Sequence, residues 1–163
     1  MRFTIRPFTE ADADGVTNWR YPPPYDAYDV SRDQSLDDEM RDESRWGASW
    51  FAADDAGSGE LAGFLELVTG ESESEAGTLV EVETGLGLRP DLTGRGIGVE
   101  LVHAALDFSR ERWSPTWFAL DVFPWNERAI RCYQNAGFER GEVYDRVFED
   151  GNEVTFLRML RPA

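Results

Sequence analysis

The sequence contains no lysine; all sixteen of its basic residues are arginine. That absence excludes a Walker-type phosphate loop, a Schiff-base lysine and pyridoxal chemistry. One cysteine (Cys132) and one histidine (His103) exclude a disulfide framework and a cysteine- or histidine-rich zinc site, and no metal is expected. No apolar run approaches the ~18 residues of a membrane span, and the N-terminus lacks the apolar stretch of a signal peptide. These absences lead to the expectation of a soluble, cytoplasmic protein.

What is present is acid and aromatic. Thirty-two acidic residues against sixteen arginines give a net charge of −16. Such a chain repels nucleic acid and anionic membrane, so neither is an expected partner. An acidic, lysine-free composition fits a halophilic protein, because screening over ~3 Å at 1 M salt removes self-repulsion. With 163 residues, 41% hydrophobic, six Trp and ten Phe, the chain has ample material for a core, and its length is that of one domain at ~150 residues each.

Hydrophobic patterning predicts a strand at 2–6 and a helix from the Thr9 cap to about Trp19. Three prolines make 20–29 a stiff extended loop, and Ser35 is expected to cap a short helix over 36–43. Strands are expected at 46–53, 61–68 and 78–88, the last being the longest, with a polar turn at 70–77. Ile97, Leu101, Ala105 and Phe108 share one face of a helix over 96–111, which leaves His103 on the surface. A strand at 116–123 precedes a helix from Asn126 to Ala136, with Trp125 and Ile130 at the hydrophobic-staple positions and Gly137 at a left-handed stop. Strands at 138–148 and 153–160 close the chain around Asp150-Gly151. The order β-α-α-β-β-β-α-β-α-β-β predicts an α/β fold, a mixed sheet of seven strands with helices on both faces.

The most informative stretch is GLGLRPDLTGRGIG (85–98), a strand, a glycine-rich turn and a helix start. Gly94, Gly96 and Gly98 let backbone amides approach a ligand at the positive end of the helix dipole, an arrangement suited to phosphate or pyrophosphate. The plain alternative is that glycines serve only the turn's sterics. The dinucleotide fingerprint is not met, since a proline stands where its third glycine belongs. The second informative stretch is NERAIRCYQNAGF (126–138). Each segment is locally positive. Over 86–98, Arg89 and Arg95 face Asp91, 2 − 1 = +1; over 126–140, Arg128, Arg131 and Arg140 face Glu127 and Glu139, 3 − 2 = +1.

Together the two segments resemble the GNAT family of acyl-CoA N-acyltransferases. The family's pattern [QR]-x-x-G-x-[GA] aligns with Thr93, Gly94, Arg95, Gly96, Ile97 and Gly98, with Thr in place of Gln or Arg. Its helix pattern N-x-x-A-x-x-x-Y-x-x-x-G-F is matched by Asn126, Ala129, Tyr133, Gly137 and Phe138. The resemblance implies a single GNAT domain over 1–163 with a mixed, mostly antiparallel, twisted sheet. It implies acetyl-CoA as acyl donor, its pyrophosphate on Thr93 to Gly98 and its pantetheine arm along Leu86, Gly87 and Leu88, with Gly85 and Gly87 letting the cofactor lie against bare backbone; beyond this segment, where the neighbouring strand 116–122 diverges, amides are left free to polarise the thioester carbonyl. Asn126 would contact the pantetheine, cap its helix, or both.

The implied reaction is acetyl transfer to a primary amine of a small molecule or peptide by direct attack. It needs a base for the ammonium, a donor for the developing oxyanion and an acid for the leaving thiolate. Tyr133 is the family's usual acid, with core packing as its alternative. Glu83 is the first candidate base, with Glu81 or water as rivals. Cys132 has no partner base and is not a candidate nucleophile. Tyr21, Tyr25 and Tyr28 are expected near the acceptor, and a homodimer is one oligomeric option. A non-catalytic acyl-CoA-binding or sensing module is the alternative function; it would need neither Tyr133 nor the acids of the cofactor strand.

The composition carries its own prediction. At 0.01 M ionic strength the screening length is ~30 Å, so thirty-two carboxylates on a small domain repel one another across its width. Against a total stability of ~5–15 kcal/mol that repulsion is decisive. The melting temperature is expected to rise steeply from dilute buffer to molar KCl; thermal melts that are flat or falling with salt would contradict the halophilic reading.

Overall fold

The first helix shows sequence acting locally. In the computed structural model, which describes residues 1–75, 77–148 and 150–163, β1 (Phe3–Pro7) leads into α1 (Glu10–Thr17). Thr9 caps that helix as expected: it sits in extended backbone and its side chain accepts from the Asp12 amide. The next helix, α2 (Gln34–Met40), is capped by Asp33, which accepts from the Leu36 amide at 3.0 Å, two residues before the expected Ser35. A carboxylate at that position also complements the helix dipole. Then come β2 (Trp50–Asp55), β3 (Leu61–Ser74), β4 (Gly77–Leu88), α3 (Ile97–Trp113), β5 (Trp117–Val122), α4 (Glu127–Asn135), β6 (Glu139–Val147) and β7 (Glu153–Pro162), the expected order of strands and helices.

The seven strands form one sheet in the order β1-β2-β3-β4-β5-β7-β6. β4 and β5 are parallel, while β1 with β2, β2 with β3, β5 with β7 and β6 with β7 are antiparallel. The expected mixed, mostly antiparallel α/β fold is therefore observed.

Three further local expectations differ. The 20–29 loop is not extended: Pro23-Pro24 is a cis peptide and Tyr25–Tyr28 is a 3₁₀ turn, closed where Asp29 accepts from the Tyr21 amide at 2.9 Å. Residues 46–49 precede the strand, because Gly47 takes a positive φ of 72° and donates to the Trp50 carbonyl. The polar 70–77 stretch is mostly strand. β3 runs to Ser74 and β4 begins at Gly77, so β3 is the longest strand; Ala76, inside the expected turn, lies outside the described residues. Polar strands escape hydrophobic-pattern reading because pairing, and not burial, defines them.

The chain divides into two compact units, Met1–Glu66 with Leu86–Ala104, and Leu67–Gly85 with Ala105–Ala163. In the first, Phe8, Val16, Val30, Met40 and Trp50 form a buried cluster against which Trp19, Leu36, Leu61 and Phe64 pack. In the second, alternation sorts the strands: Phe118, Leu120 and Val122 of β5 and Leu157 and Met159 of β7 are buried. Asp121 and Arg158, at the intervening positions, belong to the opposite face.

In the first unit Arg6 ties β1 to α1 and β2, its guanidinium donating to Asp12 at 2.7 and 2.8 Å and to Asp54 at 2.7 and 3.0 Å. Burial pushes the Asp12 carboxyl up, but the hydrogen bonds from Arg6 and Thr9 outweigh it and hold the group below its ordinary value. A carboxyl depressed on folding stabilises the protein above its unfolded pKa of ~3.9, and that contribution is lost as pH falls through the lower folded value. Unfolding titrations in molar KCl are expected to show stability dropping below about pH 4, and Asp12→Asn to flatten that drop. An unchanged acid slope in the variant would contradict the assignment.

Candidate active site

The parallel ladder between β4 and β5 is short. Val80 and Thr116 open it, the Thr116 amide donating to the Val80 carbonyl at 2.7 Å and the Val80 amide to the Thr116 hydroxyl at 3.1 Å. The register then runs Glu81↔Trp117, Val82↔Phe118 and Glu83↔Ala119, and there it ends, although β4 continues to Leu88 and β5 to Val122. Past that point the two strands no longer pair with each other. Thr84, the first residue past the ladder, is buried and its hydroxyl has no partner among the described residues.

The first unit holds the expected cofactor residues Leu86 to Gly98. Leu88 ends β4, and its carbonyl accepts from the Tyr21 hydroxyl at 2.8 Å, so the proline-rich loop is tied to the end of this strand. Gly87 serves packing: a Cβ there would lie 2.3 Å from the Phe64 ring, which occupies the space expected to be open for a ligand. Thr93 donates both its amide, at 3.2 Å, and its hydroxyl, at 2.8 Å, to the Pro90 carbonyl. As the structure stands, that hydroxyl is committed to the turn.

The glycine turn behaves differently. Gly94 and Gly96 have φ of 72° and 80°, a Cβ on either would meet nothing within 4 Å, and both are exposed. Glycine is required here by backbone conformation. α3 begins at Ile97, so the Ile97 and Gly98 amides belong to the first turn, where intrahelical acceptors are lacking. Arg89 is neutralised by Asp91 at 2.7 Å and Glu60 at 3.5 Å. Arg95 is exposed and enters no ion pair among the described residues, which leaves it as the turn's available cation. The chemistry of this turn suits an anion.

The second unit holds Glu81, Glu83, Asn126 and Tyr133. Asn126 is buried and caps α4, its side chain accepting from the Ala129 amide at 3.1 Å. Trp125 is exposed and stacks on Phe123 at 5.5 Å, while its expected staple partner Ile130 is fully buried. At the other end of α4, Gly137 has φ of 88°, its amide donates to the Gln134 carbonyl, and the Phe138 amide donates to the Tyr133 carbonyl. That pair of bonds is a Schellman stop. The Tyr133 ring is half-buried and meets Phe138 edge-on at 6.2 Å, so the tyrosine both packs and retains exposure. Burial pushes the Cys132 thiol up to about 11, which makes it a poor nucleophile. His103 is exposed, as expected.

Glu83 and Glu81 do share one face of β4, and there they meet groups that sequence reasoning missed. Arg158 donates to Glu81 at 2.9 Å, to Glu83 at 3.2 Å and to Asp121 at 3.2 Å, and Asp121 also accepts from the Tyr144 hydroxyl at 2.7 Å. Burial and the bond to Asp121 push the Tyr144 phenol up to about 12, so it stays a donor at neutral pH. The available signal was a lone charge in each of two apolar runs, Asp121 in WFALDV and Arg158 in TFLRML.

Comparison with known proteins bears on this geometry. A family model described as Acetyltransferase (GNAT) family matches residues 13–138. The chain is 32% identical over 126 residues to a mycothiol acetyltransferase of Thermobifida fusca (strain YX), covering 69% of this chain and 36% of that protein. It is 45% identical over 47 residues to a kanamycin resistance protein of Rhizobium radiobacter, covering 29% of this chain and 44% of that protein. The chain thus spans less than half the length of these curated relatives. Among solved structures, AAC(6')-Ib in complex with parmomycin and acetyl-CoA aligns with a TM-score of 0.74 at 23% identity, over 99% of this chain and 94% of that one. An acetyltransferase (GNAT family) from Bacillus anthracis aligns with a TM-score of 0.75 at 17% identity, over 99% and 95%.

The turn yields a prediction. Gly96→Val forces a branched residue into the left-handed region and covers the neighbouring amide. Acetyl-CoA binding by calorimetry is expected to be lost while the melting temperature stays within a few degrees, since Gly96 is exposed. Unchanged affinity would remove the pyrophosphate from this turn.

Proposed function

The chain belongs to the acetyltransferase (GNAT) family, and from that footing we propose that it is an N-acetyltransferase carrying an acetyl group from acetyl-CoA to a primary amine. The observation that carries the reading is the end of the β4–β5 ladder at Glu83↔Ala119, past which the two strands no longer pair with each other. Released amides on β4 can hold the pantetheine and polarise a thioester carbonyl. Acetyl-CoA, when bound, supplies an activated acyl carbon.

The chain's own groups do the rest. The backbone of Gly94 to Gly98 and the Arg95 guanidinium take the pyrophosphate, with Thr93 shaping the turn. Leu86, Gly87 and Leu88 line the pantetheine with their backbone, and Asn126 fixes the start of α4. Glu83 accepts a proton from the acceptor ammonium, the freed amine attacks, the carbon–sulfur bond breaks, and Tyr133 protonates the thiolate. The reading treats residues 1–163 as one domain working in concentrated salt in the cytoplasm. An amine-bearing small molecule or peptide is the acceptor, in keeping with relatives named for mycothiol, kanamycin and spermidine. The Tyr21–Tyr28 loop is the segment assigned to it.

Tyr133→Phe tests the acid role. Thiol release from acetyl-CoA with a panel of primary amines is expected to show kcat reduced on the order of 10²-fold, with acetyl-CoA affinity retained. Near-normal turnover would return Tyr133 to packing alone, and binding without turnover of any amine by the wild-type protein would favour the sensing module.

A further inference from the structure

Arg158 occupies an unusual place for a β-strand arginine. Its neighbours Leu157 and Met159 are buried on one face of β7, and it projects from the other, opposite its register partner Asp121 on β5. One nitrogen, Nη1, donates to both Glu83 Oε1 and Asp121 Oδ2; the other, Nη2, donates to Glu81 Oε1. Burial would weaken its charge, but the three carboxylates outweigh burial and hold the guanidinium above its ordinary pKa.

The network has a direction. Side-chain exposure rises from 11% at Asp121 through 20% at Arg158 to 46% at Glu83. The inner end is anchored, since Tyr144 donates to the same Asp121 oxygen and its ring lies 6.3 Å from Phe156. The outer end is open: Oε1 of Glu83 is held, while Oε2 accepts no hydrogen bond among the described residues. Glu83 is also the last β4 residue paired to β5, and Asp121 lies two residues past the last paired position on β5. Arg158 therefore ties the two strands together where their backbone bonds stop.

We propose that Arg158 is a positioning residue that acts through Glu83, fixing the carboxylate at the fork so that Oε2 faces the acceptor, with Asp121 and Tyr144 as its half-buried anchor. This rests on the base role of Glu83 given above. In that step the ammonium N–H bond breaks and its proton goes to Oε2; the nitrogen lone pair forms the bond to the acyl carbon, the carbon–sulfur bond breaks with its electron pair on sulfur, the thiolate takes the Tyr133 proton, and the second N–H proton leaves to water as the amide forms. A purely stabilising arginine would act on folding whether or not Glu83 was present. A lysine at 158 keeps one positive charge but is a single point donor on a flexible stem and loses the fork that serves three carboxylates.

The test is a double-mutant cycle of R158K and E83Q, read with acetyl-CoA and the best-used amine from a panel of spermidine, kanamycin and a peptide N-terminus. R158K is expected to lower kcat on the order of ten-fold, as coupled neighbours do, with acceptor KM changed less than about two-fold and acetyl-CoA affinity retained. R158K/E83Q should be no slower than E83Q alone. Tyr144→Phe, which removes only the anchor, should lower kcat in the same direction by a smaller factor and also lose its effect on E83Q; it carries the test if R158K fails to fold. Additive losses, or R158K at wild-type kcat beside a slow E83Q, would overturn the positioning role and leave the base role standing. E83Q at wild-type kcat, or no amine acetylated by the wild-type protein, would overturn the underlying reading and the inference with it.

Discussion

A parallel ladder of only Glu81↔Trp117, Val82↔Phe118 and Glu83↔Ala119 leaves the facing edges of two strands without each other where they diverge. Unpaired backbone groups are costly unless water or a ligand satisfies them, so a splay of this kind persists where flanking contacts enforce it. On β5 the enforcement is the antiparallel pairing with β7, which continues through Val122↔Leu157 after β4 has left. On β4 it is Gly87 pressed against Phe64 and the Leu88 carbonyl held by Tyr21. The divergence is thus built by ordinary packing on each strand, and it begins at Glu83, the last β4 residue paired to β5.

Arginine does the electrostatic work that a lysine-rich chain would spread over many residues. On a chain of net charge −16, several guanidiniums serve more than one carboxylate: Arg6 serves Asp12 and Asp54, Arg41 serves Asp14 and Asp37, Arg45 serves Glu39 and Glu66. A planar fork with five N–H donors can do this, whereas an ammonium is a compact point charge. Most of these pairs are partly exposed and individually worth little in stability. Their value is geometric: each pins strands or helices whose acids would otherwise repel.

Legibility followed periodicity. The helix from Asn126 to Gly137 was readable to its caps because capping is local chemistry: an Asn side chain on an amide three residues on, and a glycine at φ of 88°. The glycine turn at 94–98 was readable because left-handed backbone selects glycine. Where a long-range partner decided, local reading failed. Gly87 reads locally as bare backbone for a ligand, whereas the space of its missing side chain is filled by Phe64, a contact between β3 and β4. The acids of β3, Glu71 and Glu73, read as part of a turn because no apolar stripe marks a strand solvated on both faces. Glu81 and Glu83 were found, yet Arg158, Asp121 and Tyr144 were not, since nothing local says that residues on four strands converge.

The proposed function is direct transfer of an acetyl group to an amine nitrogen. Mass spectrometry after incubation with isotope-labelled acetyl-CoA and a primary-amine panel in molar KCl tests this most directly. The account predicts the labelled acetyl group on an acceptor nitrogen, with the intact mass of the protein unchanged. Label retained on the protein, or bound acetyl-CoA with no labelled amine, would contradict it.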